Sequence, residues 1–181
     1  MMYNIIKTKL KDCIEILPNV FEDSRGITIK PYHYPTFKKL GIEEFFNEDL
    51  FVTSKKGTIR GLHFQKEPFV QSKLVYCVSG SILDVAVDIR KDSPTYGEHV
   101  CFNIDSRKRN IAYIPNGFAH GYQALEENTI VIYKLSSPYS PSNEGGIKWD
   151  SMDINWNKIN PIVSNKDEEL PTFAEYIALS D

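Results

Sequence analysis

The sequence predicts an all-β fold, an antiparallel sandwich or barrel carrying a few short helices. Three observations lead there. Five segments from the middle of the chain onward read as short strands rich in β-branched residues and set apart by turn residues. Ten glycines and ten prolines punctuate the 181 residues, with no repeat, low-complexity tract or linker. Helical patterning is confined to two brief stretches, and the length suits a single domain over residues 1–181 with a sizeable core.

Taken in order, Pro35–Leu40 has room for a turn or two of helix. Arg60-Gly61-Leu62-His63-Phe64-Gln65 puts His63 and Gln65 on one face with Gly61, and Leu62 and Phe64 on the other. Lys73–Ser79 and Ile82–Ile89 are alternating and β-branched, and Ser79-Gly80 between them reads as the turn of a hairpin. Within the second of these, Leu83, Val85, Val87 and Ile89 share a face opposite Asp84, Ala86 and Asp88. His99–Ile104, Asn110–Ile114 and Asn128–Leu135 are further strands. Lys73 shares its face with Val75 and Cys77, and Tyr133 with Thr129 and Val131. A reactive residue on a face that continues apolar is the pattern of a strand reaching the mouth of a pocket. Taken singly, each has an ordinary structural reading as a solvated lysine, a packed tyrosine or a hydrogen-bonded histidine; the combination points to a site. Ser136–Asp153 is loop-rich, as segments covering a site often are, and a short helix follows Pro171.

Composition narrows the function. A net charge of −3 gives no global attraction to nucleic acid or an anionic membrane, so an anionic ligand needs a few local cations. Cys13, Cys77 and Cys101 are odd in number, far apart and outside any C-x-x-C, which argues for a reducing cytoplasm over a disulfide framework. The opening MMYNIIKTKLKD has no apolar signal core, and no uncharged apolar run is long enough to span a bilayer.

Pro115-Asn116-Gly117-Phe118-Ala119-His120-Gly121 fits P-x-G-x-x-H, which resembles the second conserved box of cupins and throws His120 into a barrel. Metal-binding cupins add H-x-H and a glutamate in a first box. The matching place here is His63, but two positions on stands Gln65, a poor ligand for metals that prefer imidazole, while His33 and His99 lie outside both boxes. A metal-free barrel is expected.

Several ordered segments then carry a family likeness. They are Arg60–Gln65, Lys73-Leu74-Val75, Asp84–Asp88 with Arg90–Thr95, Ile114–Gly121, Tyr133-Lys134, Gly146–Asp150 and Ser164–Asp167. Together they resemble the dTDP-4-dehydrorhamnose 3,5-epimerase family. The resemblance implies a cupin-type double-stranded β-helix (a jelly-roll barrel), a homodimer with shared active sites, a nucleotide-diphospho-sugar substrate, and neither metal nor organic cofactor. It implies that His63 is the base, Asp167 its carboxylate partner, Tyr133 the acid on the opposite face, and Lys73 the cation near the C4 oxygen. His120, Gln65, Tyr139 and Lys166 are implied near the substrate. Arg60 and Arg25 would contact the diphosphate, Arg25 in the partner subunit's site.

The residue types suit that chemistry. A proton on carbon beside a ketone calls for a base titrating near neutrality, which histidine supplies. The enolate needs a fixed cation, a contact worth ~3 kcal/mol. Inversion needs a neutral weak acid on the far face, and a diphosphate suits arginine. Arg25 and Arg60 each precede a glycine, which would let the backbone approach a ligand. Two stretches depart from the family pattern: Ile27–Lys30, where an aromatic pair and a glutamate are usual, and Glu48–Ser54, where glutamine, asparagine and serine are common. A CDP- or GDP-linked sugar such as a 4-keto heptose is therefore an alternative substrate. A sugar-nucleotide 3,4-ketoisomerase, a metal-dependent cupin enzyme and a non-catalytic sugar-binding module are the competing functions.

Overall fold

The computed structural model describes residues 3–157 and 160–180; Met1 and Met2 of the N-terminal stretch, and Asp181, lie outside the described residues. Among the described residues, thirteen strands and three short helices follow one another. They are β1 (Tyr3–Lys7), β2 (Ile14–Pro18), β3 (Val20–Asp23), β4 (Gly26–Ile29), α1 (Tyr34–Lys39), β5 (Glu48–Ser54), β6 (Ile59–Gln65), β7 (Lys73–Ser79) and β8 (Ser81–Asp88). Then come β9 (His99–Asp105), β10 (Ile111–Ile114), β11 (Phe118–Ala124), β12 (Thr129–Leu135), β13 (Glu144–Gly146), α2 (Asn165–Glu168) and α3 (Phe173–Ser180). A six-stranded sheet, ordered β1-β2-β10-β7-β12-β5, faces a five-stranded sheet, ordered β13-β6-β11-β8-β9, and β3 and β4 form a separate two-stranded sheet. This is the expected all-β cupin-type fold.

Three apolar clusters hold the layers. Between the sheets, Val75, Cys77, Val131 and Leu135 of one meet Ala86, Phe102, Phe118 and Tyr122 of the other. Outside the five-stranded sheet, Val85 and Val87 pack under Trp149 and Trp156, with Phe173 and Tyr176 of α3 alongside. Outside the six-stranded sheet, Leu74, Ile111 and Tyr113 pack under Phe37 of α1, Ile42 and Phe46. Both sheets are thus covered on both faces, and this decides how β8 reads. Its valine face looks outward beneath the tryptophans, while Asp84 and Ala86, fully buried, look into the barrel.

One expectation is corrected. β7 and β8 do not form a hairpin: β7 pairs with β10 and β12, and β8 with β9 and β11. At Gly80 (φ 72°) the chain crosses from one sheet to the other, where a Cβ would lie 2.4 Å from Thr129 Oγ1. A small residue in a left-handed conformation serves a crossing between packed layers as readily as a two-residue turn.

The glycine after Arg60 has a packing task. Gly61 has φ 122°, and a Cβ there would sit 2.6 Å from Gly121 Cα and 2.7 Å from the His120 carbonyl oxygen. The close approach seen here is that of β6 to β11. Gly26 (φ 125°) has open space around it and completes the β3–β4 turn. Gly61→Ala is therefore expected to cost roughly 2–4 kcal/mol, from strain plus a backbone clash, and to lower Tm by several degrees. Gly26→Ala should cost about 1 kcal/mol. Equal shifts in calorimetry would remove the packing explanation.

Candidate active site

The mouth end of the barrel holds a pocket of about 490 Å³ whose walls come from both sheets. β6 and β11 supply His63 and His120, which are register partners across their pair. The opposite sheet supplies Lys73 from β7 and Tyr133 from β12. Arg60, Gln65, Tyr139, Lys166 and Asp167 line the same pocket, so nine of the ten expected residues converge.

Asp167 is delivered by α2. Ser164 caps that helix, its Oγ accepting the Asp167 N–H at 3.2 Å. The Asp167 side chain reaches β6 instead of its own helix end. His63 Nε2–H donates to Oδ1 at 2.8 Å, and the Gly61 N–H donates to Oδ2 at 3.1 Å. This fixes the imidazole with Nδ1 as its basic nitrogen. Burial pushes the Asp167 carboxyl up, but the His63 hydrogen bond and charge, the Gly61 N–H and nearby Lys166 together hold it below its usual value.

Lys73 is buried, and its ammonium donates to the His63 carbonyl oxygen at 3.2 Å across the interior. Desolvation pushes its pKa down to about 8, with the carboxylates of Asp84 and Glu144 pulling the other way. Tyr133 is 8% exposed; burial, with Tyr122 and Asp84 adding to it, raises its phenol well above the ordinary value, so it is neutral at pH 7. His120 Nε2–H donates to Asp84 Oδ2 at 2.7 Å, and the His120 ring meets the edge of Tyr133 at 5.6 Å between centroids. Burial lowers the His120 pKa despite that partner, which keeps the imidazole neutral.

The rim is tied by residues that sequence reasoning missed. Glu144 accepts Lys166 Nζ–H at 2.6 Å and the Tyr139 hydroxyl at 2.7 Å, joining the loop after β12 to α2. Its one signal was a place in the loop-rich segment before two glycines. Asp84 carried only the signal of a carboxylate alternating with apolar residues. Gln65 lines the pocket, but its amide is engaged by the loops around it: Nε2–H₂ donates to the Phe69 and Pro138 carbonyls, and Oε1 accepts the Ser140 N–H. Arg60 donates from Nε to Ser54 Oγ at 3.3 Å.

Arg25 is the exception. It stands in the β3–β4 turn with an 87% exposed side chain paired to Asp23, and it does not line this pocket. Of the two departing stretches, Ile27 lies exposed in that hairpin, whereas Glu48, Leu50 and Val52 face the pocket from β5. Among the described residues no group of three or more His, Cys, Asp or Glu is placed to hold a metal ion.

The model of the dTDP-4-dehydrorhamnose 3,5-epimerase family matches residues 7–175. The enzyme of that name from Shigella flexneri is 42% identical over 167 residues, covering 91% of this chain and 92% of its own. A crystal structure of the Bacillus anthracis enzyme with TDP and pyrophosphate bound superposes with a TM-score of 0.91 at 38% identity, over 94% of this chain and 99% of the other. The Legionella pneumophila epimerase in complex with dTDP-4-keto-L-rhamnose gives 0.90 at 34% identity, over 94% and 92%.

The charge balance around Lys73 gives a prediction. Asp84 is the larger of the two carboxylate influences holding the ammonium's pKa up, so Asp84→Asn should move the Lys73 titration midpoint below about 8. Glu144→Gln should move it less. NMR of the labelled lysine Cε resonance against pH reads both; an upward movement would contradict the assignment of these neighbours.

Proposed function

The chain belongs to the dTDP-4-dehydrorhamnose 3,5-epimerase family, and on that premise we propose that its pocket inverts carbons beside the C4 ketone of a dTDP-linked 4-keto-6-deoxy sugar. One observation carries the reading: His63 and Tyr133 enter one pocket from opposite sheets, with the Lys73 ammonium beside them.

His63 Nδ1 removes the proton from C3 or C5, and the electron pair moves through the carbonyl to O4. Asp167, already bonded to Nε2–H, stabilises the resulting imidazolium without taking its proton. The Lys73 ammonium faces the enolate oxygen in a buried setting where a charge contact is strong. The Tyr133 hydroxyl then delivers a proton to the far face of the same carbon. Tyrosinate and imidazolium return to their starting states by exchange with solvent. Arg60 and Lys166 meet the diphosphate, and Tyr139, 55% exposed at the rim, lies against the nucleoside.

A second copy completes the site in this reading. Among the described residues the β3–β4 hairpin pairs with no other strand, and it presents Val20, Phe21 and Ile27 to solvent beside Arg25. An apolar hairpin tipped by a guanidinium suits insertion over a neighbour's pocket, which supports a homodimer. The thiols of Cys13, Cys77 and Cys101 are free, which agrees with a cytoplasmic enzyme.

Incubation with dTDP-, CDP- and GDP-linked 4-keto-6-deoxyglucose in deuterium oxide tests the reading, followed by NMR of C3 and C5. Deuterium should enter the dTDP sugar with inversion. His63→Ala should abolish incorporation, and Tyr133→Phe should keep part of the exchange while losing most of the inversion; equal loss of both in the second variant would remove the acid from Tyr133. Because Lys73 acts as an ammonium, its active fraction falls as pH rises through about 8, so kcat/KM should decline on the alkaline side with that midpoint. Lys73→Arg should move the decline upward, and Lys73→Met should cost ~10²–10³-fold. An unmoved alkaline limb in Lys73→Arg would assign it to another group.

A further inference from the structure

The β5 wall of the pocket carries information about the sugar that the reacting residues do not. β5 is the edge strand beside β12, and its side chains alternate: Asp49 turns outward to bind Lys134, while Glu48, Leu50 and Val52 line the pocket. Leu50 is the register partner of Tyr133, and Val52 of Val131. Leu50 is 46% exposed and lines the cavity, and Val52 lines it too while packing against the interior cluster. Next to the acid, Leu50 and Val52 therefore form an apolar stretch of the wall, with the Glu48 carboxylate two residues along the same face.

The stereochemistry of inversion says what meets it. A carbon whose hydrogen points at His63 tilts its other substituent toward the opposite wall, the wall of Tyr133. At C5 of a 6-deoxy sugar that substituent is a methyl group. We propose, on the epimerase reading above, that Leu50 is a specificity-determining residue that packs against this C6 methyl, so the pocket selects a 6-deoxyhexose over a sugar hydroxylated at C6. A hydroxyl packed against Leu50 and Val52 would give up water to side chains that offer it no hydrogen bond. Apolar pockets discriminate against an added hydroxyl by up to about 100-fold.

The experiment compares kcat/KM for dTDP-4-keto-6-deoxyglucose and its 6-hydroxy counterpart, read as solvent deuterium incorporation. Wild-type enzyme should prefer the 6-deoxy sugar by roughly 10–100-fold. Leu50→Asn should cut that ratio at least about fivefold, and Leu50→Met should preserve it. The ratio does not depend on how much of a variant is folded. Should Leu50→Asn be wholly inactive, Val52→Ser serves the same comparison and should also lower the ratio. A wild-type enzyme indifferent to the hydroxyl, or a ratio unmoved by these polar substitutions, overturns the inference while leaving the epimerase reading intact. No deuterium in either sugar with the wild-type protein would instead overturn that reading, and this inference with it.

Discussion

The Asp167 carboxylate is the contact on which the rest of the site depends. One oxygen holds the His63 ring and the other holds the Gly61 backbone, so a turn far along the chain is clamped to the strand that carries His63. Hydrogen bonds to a charged acceptor are worth roughly 1.5–3 kcal/mol each, and breaking one partner of a buried set costs more than making it gains. The same helical turn carries Lys166, which binds Glu144, which in turn holds Tyr139. The His63 ring, the Lys166 ammonium and the Tyr139 loop are therefore set by one local structure. Its starting condition is modest: a serine cap leaves the third residue of the turn free to point away from its own helix.

The interior supplies the complementary condition. Removing Lys73 and Tyr133 from water moves both toward their neutral forms, by desolvation before any specific neighbour acts. The phenol thereby keeps its proton at neutral pH. For the lysine it brings the pKa close to the working range, where Asp84 and Glu144 decide how much charge survives. Asp84 Oδ1 is buried and has no hydrogen-bond partner among the described residues, so this carboxylate spends one oxygen on His120 and leaves its remaining field in the pocket. A set of carboxylates and cations in one cavity thus divides into members that hold position and members that meet charge.

Much of this was legible in the residues. β7 runs over the very span that alternation marked, and β9, β10 and β12 differ from it by a residue at an end. Parity placed Lys73 and Tyr133 on interior faces because Val75, Cys77 and Val131 behind them are plainly apolar. Parity could not tell inside from outside on β8, since tryptophans cover the far face and both sides are buried. β11 escaped notice because Ala119, His120 and Gly121 lack strand character; its buried pattern comes from packing against Gly61 and β8. The pairing of β7 with β8 was misread because a serine-glycine step looks the same within a sheet and between sheets. Glu144 was hidden by its surroundings: a glutamate in a polar loop has no pattern until Lys166 and Tyr139 are brought to it.

The bond between His63 and Asp167 joins residues 104 positions apart. Closing a loop of that size has a length-dependent entropic cost on the order of 4 kcal/mol. In a chain emerging from the ribosome, the strands that shape the cavity are made well before the carboxylate that orients the imidazole. Catalytic competence on this reading is a late event in biogenesis, and a truncated chain lacking its last turns would be a barrel with an unaimed base.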